Sequence, residues 1–260
     1  MKILFIGDIF GKPGRNVIKK ELSNIKREYD IDLCIANCEN VAAGKGVTPK
    51  TASELFYSGI DIFTSGNHLW DKKDSIDFLK TEKRIVKPLN YPKRAIGNDY
   101  ALVQFNNKNI IIISLIGQAF MPAANSPFEA FEDYFTKFSK IANIIIVDFH
   151  AEATAEKRAM GFFLNGKVSA MFGTHTHIQT ADEEILSEGT AYITDVGMTG
   201  PHDSVIGVKK DIILKKMLSG MPYKYEVASS GLELNGAVIE IDLLSGKAIA
   251  IQRIKRKIYV

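Results

Sequence analysis

The chain has 260 residues, 46% hydrophobic and 24% charged, with 33 basic and 30 acidic residues giving a formal net charge of +3. That length and balance fit a globular protein with one substantial core, and so small a charge gives no nucleic-acid footprint by itself. Its N-terminal apolar stretch is too short for a signal peptide and no segment reaches the ~20 apolar residues of a membrane span, so a cytoplasmic protein without membrane contact is expected.

In chain order, residues 2–6 read as a buried strand. Residues 17–29 read as a helix carrying Val17, Ile18, Leu22 and Ile25 at helical spacing. A strand at 32–36, a short helix at 49–57, a strand at 61–64 and a helix at 71–81 with Ile76 and Leu79 on one face continue the alternation. Strands alternating with helices argue for βαβ units and a largely parallel sheet. The two cysteines, Cys34 and Cys38, lie within or beside the second strand. They are too few for a disulfide framework or a zinc knuckle and are expected as buried thiols.

The middle of the chain changes character. Residues 101–105 and 109–115, separated by Asn106-Asn107-Lys108, form a hairpin pattern, and a helix at 127–140 leads into the apolar strand 143–147. After 168–172, short strand patterns follow at 184–186, 190–194, 236–241 and 248–254, with turns at 187–189 and Ser245-Gly246. A parallel half plus an antiparallel half implies two packed sheets flanked by helices. No linker, low-complexity tract or repeat interrupts the chain, so 1–260 is expected to be a single domain.

Chemistry-bearing side chains gather where these strands end. Asp8 follows the first strand in Gly7-Asp8-Ile9-Phe10-Gly11-Lys12-Pro13-Gly14-Arg15. This is not a phosphate-binding P-loop, because only three residues separate Gly7 from Gly11 and Pro13 stands where a Ser or Thr would reach Mg²⁺. Glu39 and Asn40 follow the second strand, and Asn67 and His68 the third. His150 closes the strand that contains Asp148, with Glu152 just beyond. In Gly173-Thr174-His175-Thr176-His177, two imidazoles two residues apart would face one side of an extended segment. Each element alone is as well explained by a turn or a solvated loop. Together they place carboxylate, amide oxygen and imidazole at one rim of an α/β fold, where such folds bind ligands. These are ligands for borderline or hard divalent metals, and Glu39 is a carboxylate that could hold two cations close together. A two-metal hydrolase is the expectation.

The order Gly-Asp, acid-Asn, Gly-Asn-His, His and Gly-x-His-x-His resembles the calcineurin-like metallophosphoesterases, most closely the branch of YmdB-type phosphodiesterases. The stretches Asn37-Cys38-Glu39-Asn40, Gly66-Asn67-His68-Leu69-Trp70-Asp71, Asp148-Phe149-His150-Ala151-Glu152 and Thr194-Asp195-Val196-Gly197-Met198-Thr199-Gly200 carry the likeness over essentially the whole chain. Phe10 stands where the wider superfamily has a histidine, and Glu39 where it has a bridging aspartate. The branch shares both changes, and its pattern implies that Asn40 replaces the lost ligand. Cys38 stands where glycine is commoner in the branch.

By this resemblance the fold is a four-layer α/β/β/α sandwich with mixed parallel and antiparallel sheets. One metal would be held by Asp8, Glu39, Asn40 and His177, and a second by Glu39, Asn67, His150 and His175, with Glu39 bridging. The resemblance implies iron at these positions, or manganese in its place; ligand chemistry excludes a pure calcium site and does not separate iron, manganese and zinc. It implies hydrolysis of a small phosphodiester, a cyclic nucleotide of the 2′,3′-cAMP type. A metal-bridging hydroxide would attack phosphorus, and His68, beside ligand Asn67, would act as general acid. Lys12, Arg15 and Lys45 are candidates for phosphate contact, and His202 is expected to serve only its loop. A nuclease, a phosphatase and a metal-stabilised regulatory or scaffold protein are the competing readings. The sequence leaves the oligomeric state open, a homo-oligomer included.

Overall fold

Five residues, Lys-Ile-Leu-Phe-Ile, make up β1 (Lys2–Ile6), and successive side chains enter different cores. Leu4 and Ile6 face one way, Ile3 and Phe5 the other. A strand alternates its side chains, so an unbroken apolar run fits a strand covered on both faces. The computed structural model, which describes residues 1–259, has such a strand at its centre.

Around it the first half of the chain adds β2 (Asp8–Ile9), α1 (Gly11–Glu28), β3 (Leu33–Asn37), α2 (Pro49–Tyr57), β4 (Ile62–Thr64) and α3 (Ser75–Thr81). Then come β5 (Ala101–Phe105), β6 (Lys108–Ile116), α4 (Pro127–Ile141), β7 (Ile144–His150), α5 (Thr154–Leu164), β8 (Ala170–Thr174), β9 (Glu184–Ile185) and β10 (Ala191–Ile193). The chain closes with β11 (Met198–Pro201), α6 (Lys210–Ser219), β12 (Leu232–Ile241) and β13 (Ala248–Lys257).

One sheet has the order β2-β11-β12-β1-β3-β4, with β13 also paired to β12. The other has the order β5-β6-β7-β8-β10-β9. In the first, β1, β3 and β4 run parallel, and β12 is antiparallel to β1 and to β13. In the second, β6, β7, β8 and β10 run parallel, and β5 and β9 cap the edges antiparallel. The sheets face each other across a shared core in which Phe5 stacks on Phe172, ring centroids 4.5 Å apart. Val17, Ile18, Leu22 and Ile25 of α1 cover the outer face of the first sheet. Phe131 and Phe138 of α4, with Met160 and Leu164 of α5, cover that of the second. The result is the expected α/β/β/α sandwich.

Several boundaries differ from the sequence expectation. Helix α1 begins six residues early, at Gly11, because Pro13 falls in the first turn, where its missing N–H has no intrahelical partner to lose. Helix α3 begins at Ser75 rather than 71, since Asp71 turns back toward His68. The hairpin turn is the pair Asn106-Asn107, both left-handed at φ 47° and 60°, as a two-residue turn of this kind requires. Helices α5 and α6 and the short strands β2 and β11 were not expected from pattern. Among the described residues, no helix is long and apolar enough to cross a membrane.

Candidate metal centre

The strand ends converge. Glu39 and Asn40 follow β3, Asn67 and His68 follow β4, His150 ends β7, and His175 and His177 follow β8, while Asp8 opens β2 after β1. Asp8, Glu39, Asn40, His150 and His177 are buried, and Asn67, His68 and His175 border the opening. All eight residues singled out in the sequence come to this one place.

Following the protons around His150 shows what the cluster lacks. The Thr174 hydroxyl donates to Asp148 Oδ1 at 2.6 Å and therefore accepts from His150 Nδ1 at 2.8 Å. Asp148 is held in turn by the Asn37 side-chain amide at 2.9 Å. This relay leaves the His150 Nε2 lone pair pointing into the site. There it meets Asn67 Oδ1 at 3.2 Å, Glu39 Oε2 at 3.2 Å and His175 Nδ1 at 3.1 Å. His175 Nε2 lies 3.2 Å from Glu152 Oε2 and donates there, so its Nδ1 is also a lone pair. Four electron pairs thus face one point, and a single proton could satisfy only two of them. The separations are those of neighbouring ligands around an ion at about 2.1 Å.

A second convergence lies beside it. His177 Nδ1 donates to the Ile206 carbonyl at 3.0 Å, which turns its Nε2 lone pair toward Asn40 Oδ1 at 3.3 Å. The Asn40 amide nitrogen donates to the Gly44 carbonyl at 3.0 Å, fixing that oxygen inward. Asp8 Oδ2 accepts the His175 backbone amide at 3.1 Å, while its buried Oδ1 has no hydrogen-bond partner among the described residues. Buried acceptors are normally paired, so this orphaned oxygen fits a cation ligand. Phe10 supplies no ligand and packs edge-on against the His177 ring, centroids 5.5 Å apart.

His175 and His177 have φ of 95° and 66°, so this His-x-His is not the extended segment anticipated from the sequence. Left-handed backbone is strained for a residue with a Cβ and collects at functional sites. A buried clamp holds it: Thr176, between the two histidines, donates its amide and hydroxyl to Asp195 Oδ2 at 3.1 and 2.8 Å. Lys157 from α5 donates to the same oxygen at 2.7 Å. Gly66 clears the other side, where a Cβ would stand 2.2 Å from His150 Cδ2 and 2.4 Å from Glu39 Oε2.

The cluster attracts positive charge. Burial opposes a charged imidazole at His150, yet Glu39, Asp8 and Asp148 together hold its pKa up at about 9. Burial would raise Glu39, but His150 and His68 bring it down to about 2. Burial pushes Asp8 well above the usual carboxylate range. His175 is pushed down to about 3, first by burial and then by repulsion from His150. A cation binding here would displace a proton. The cysteines take no part: both are free and buried, and burial pushes their thiols up, out of the reactive range.

His68 stands apart from the converging lone pairs. Its backbone amide donates to Glu39 Oε2 at 3.1 Å, and its Nδ1 lies 2.9 Å from Asp71 Oδ2. It lines a cleft of about 530 Å³ that opens from the cluster and also contains Lys45. Lys12 and Arg15 are elsewhere: both line a separate groove, and Arg15 is engaged by Glu54 at 3.0 Å and the Val41 carbonyl. His202 donates from Nε2 to the Met198 carbonyl at 2.8 Å, a loop contact as expected. Sequence reasoning missed Thr174, Asp195 and Lys157. Asp195 alone carried a visible signal, an acid followed by Val-Gly after a strand.

A family model described as YmdB-like protein matches residues 4–254. The 2′,3′-cyclic-nucleotide 2′-phosphodiesterase of Bacillus subtilis (strain 168) is 44% identical over 254 residues, covering 98% of this chain and 96% of the relative. The crystal structure of a novel phosphatase from Mycoplasma pneumoniae superposes with a TM-score of 0.95 at 37% identity, covering 99% of this chain and 93% of the other. That of a hypothetical protein from Thermus thermophilus gives 0.93 at 35% identity, covering 99% of both.

Proposed function

Because this chain belongs to the YmdB-like protein family, we propose that it is a metal-dependent phosphodiesterase that opens 2′,3′-cyclic nucleotides. The observation that carries the metal requirement is the convergence of His150 Nε2, His175 Nδ1, Asn67 Oδ1 and Glu39 Oε2 on one point, where a single proton could satisfy only two of them. Those four residues would hold one ion. Asp8, Asn40 and His177, with Glu39 bridging, would hold the second. Iron is the proposed metal, with manganese or zinc the alternatives the same ligands accept. When bound, such ions neutralise phosphate oxygens and make water a competent nucleophile near neutral pH.

The chain's own groups do the rest. The relay from Asp148 through Thr174 keeps the proton of His150 on Nδ1, and Glu152 keeps that of His175 on Nε2, so the opposite nitrogens stay available. His68, oriented by Asp71 and tied to Glu39 through its backbone, is the general acid in this reading. A new P–O bond forms to water oxygen, one ring P–O bond breaks, and the departing ribose oxygen takes a proton from His68. The product is a nucleoside monophosphate. The strained five-membered ring is opened with one nucleophile and one acid, both within this site's means. The free, buried thiols of Cys34 and Cys38 fit a cytoplasmic setting.

The test is metal analysis of the purified protein with hydrolysis of 2′,3′-cAMP, 3′,5′-cAMP and bis-p-nitrophenyl phosphate, beside His68→Ala and Glu39→Ala. Two ions per chain, metal lost in Glu39→Ala and a roughly 10²–10⁴-fold slower His68→Ala with its metal retained are expected. Metal-replete protein inert on all three esters would overturn the proposal.

A further inference from the structure

The cleft leading from the cluster is lined by Glu39, Asn40, His68 and His177 and also by Tyr223 and Tyr225 from the segment after α6. Helix α6 stops at Gly220, left-handed at φ 69°, and the chain then runs along the cleft. It is fastened by the Val227–Val208 bridge, by Lys209 donating its amide to the Glu226 carbonyl at 3.0 Å and by the Lys209–Glu226 ion pair at 2.6 Å. Tyr223 and Tyr225 remain 43% and 46% exposed. The Tyr225 hydroxyl accepts from Lys216 Nζ at 2.5 Å, so its polar end is already engaged.

Half-exposed aromatic side chains lining the same cleft as Glu39, His68 and His177 match the π-faces of bases, which stack on aromatic side chains without sequence preference. A volume of about 530 Å³ lies within the range of small-molecule sites. We propose that Tyr223 and Tyr225 form the nucleobase subsite of this cleft, on which the base of a nucleoside 2′,3′-cyclic phosphate stacks while its phosphate lies over the cluster around Glu39. The inference rests on the phosphodiesterase reading and adds to it the residues that would hold the base. Cyclic phosphates that carry a base, purines above all, bind better than cyclic diesters without one.

The experiment compares kcat/KM for 2′,3′-cAMP with that for glycerol 1,2-cyclic phosphate in the parent, in Tyr223→Ala/Tyr225→Ala and in Tyr223→Phe/Tyr225→Phe, with metal content and Tm recorded for each. The parent is expected to favour 2′,3′-cAMP. The Ala pair should lower that ratio about tenfold or more, through KM, and the Phe pair should keep it. Competition by adenosine 3′-monophosphate, the product of opening the ring at O2′, should weaken in step with the ratio. A parent that turns over both diesters with equal efficiency, or a ratio unmoved in the Ala pair, overturns the subsite while leaving the phosphodiesterase standing. A parent inert on both diesters overturns the phosphodiesterase, and the subsite with it.

Discussion

Lys157 and Asp195 form an ion pair, Nζ to Oδ2 at 2.7 Å, with both side chains shut away from solvent. The same carboxylate accepts twice from Thr176 and, through Oδ1, from the Gly197 amide at 2.8 Å. One buried pair therefore holds the left-handed turn that aims His175 and His177. Removing one partner of such a pair leaves an uncompensated buried charge, which costs about 3–5 kcal/mol. Lys157→Met is expected to lose stability of that order in urea unfolding and to bind metal more weakly in solutions where it is folded. Parental metal affinity in folded Lys157→Met would show that the pair only stabilises the fold.

Thr174 links Asp148 to His150 and has no other part in the site. Thr174→Val keeps the shape and removes the relay, freeing His150 to place its proton on either nitrogen. Metal affinity should fall roughly 10–100-fold, as for other groups that orient a ligating histidine. Competition with a calibrated chelator measures it.

Gly66 leaves the space that the cluster occupies. Gly66→Ala puts a methyl group within 2.4 Å of both His150 and Glu39. Metal stoichiometry should drop toward zero in this variant, with a smaller change in thermal stability than in Lys157→Met.

His150 gives a signed pH dependence. Its pKa of about 9 in the folded chain lies above 6.5, so in EDTA-stripped protein its contribution to stability is complete below pH 6.5 and is lost as pH rises through about 9. Metal requires the neutral ring, so loading at about pH 7.5 should release roughly one proton from His150. Titration calorimetry in buffers of different ionisation enthalpy reads this directly. The stripped protein's Tm should fall between pH 6.5 and 9 relative to the loaded protein's.

The layers and the site were legible in the sequence because each rests on a short-range pattern. Unbroken apolar runs such as 3–6 and 144–147 mark strands covered on both faces, and a ligand type beside Gly or Asn marks where each ends. Helix α5 was hidden because Gly161 interrupts its apolar spacing, and packing explains that glycine: a Cβ there would stand 2.5 Å from the Tyr192 ring. Helix α6 was hidden because only Ile213 is buried on it, too little for an apolar stripe. The shape of the His-x-His turn and the Lys157–Asp195 clamp depend on residues 19 to 38 positions apart meeting in space, which no local pattern records.

The binuclear assignment is tested most directly by adding Mn²⁺ in small steps to EDTA-stripped protein while following 2′,3′-cAMP hydrolysis. A site that holds two ions, as proposed, gives no activity at zero metal and a plateau at two equivalents per chain. Full activity in the stripped protein, or a plateau reached at one equivalent, would contradict it.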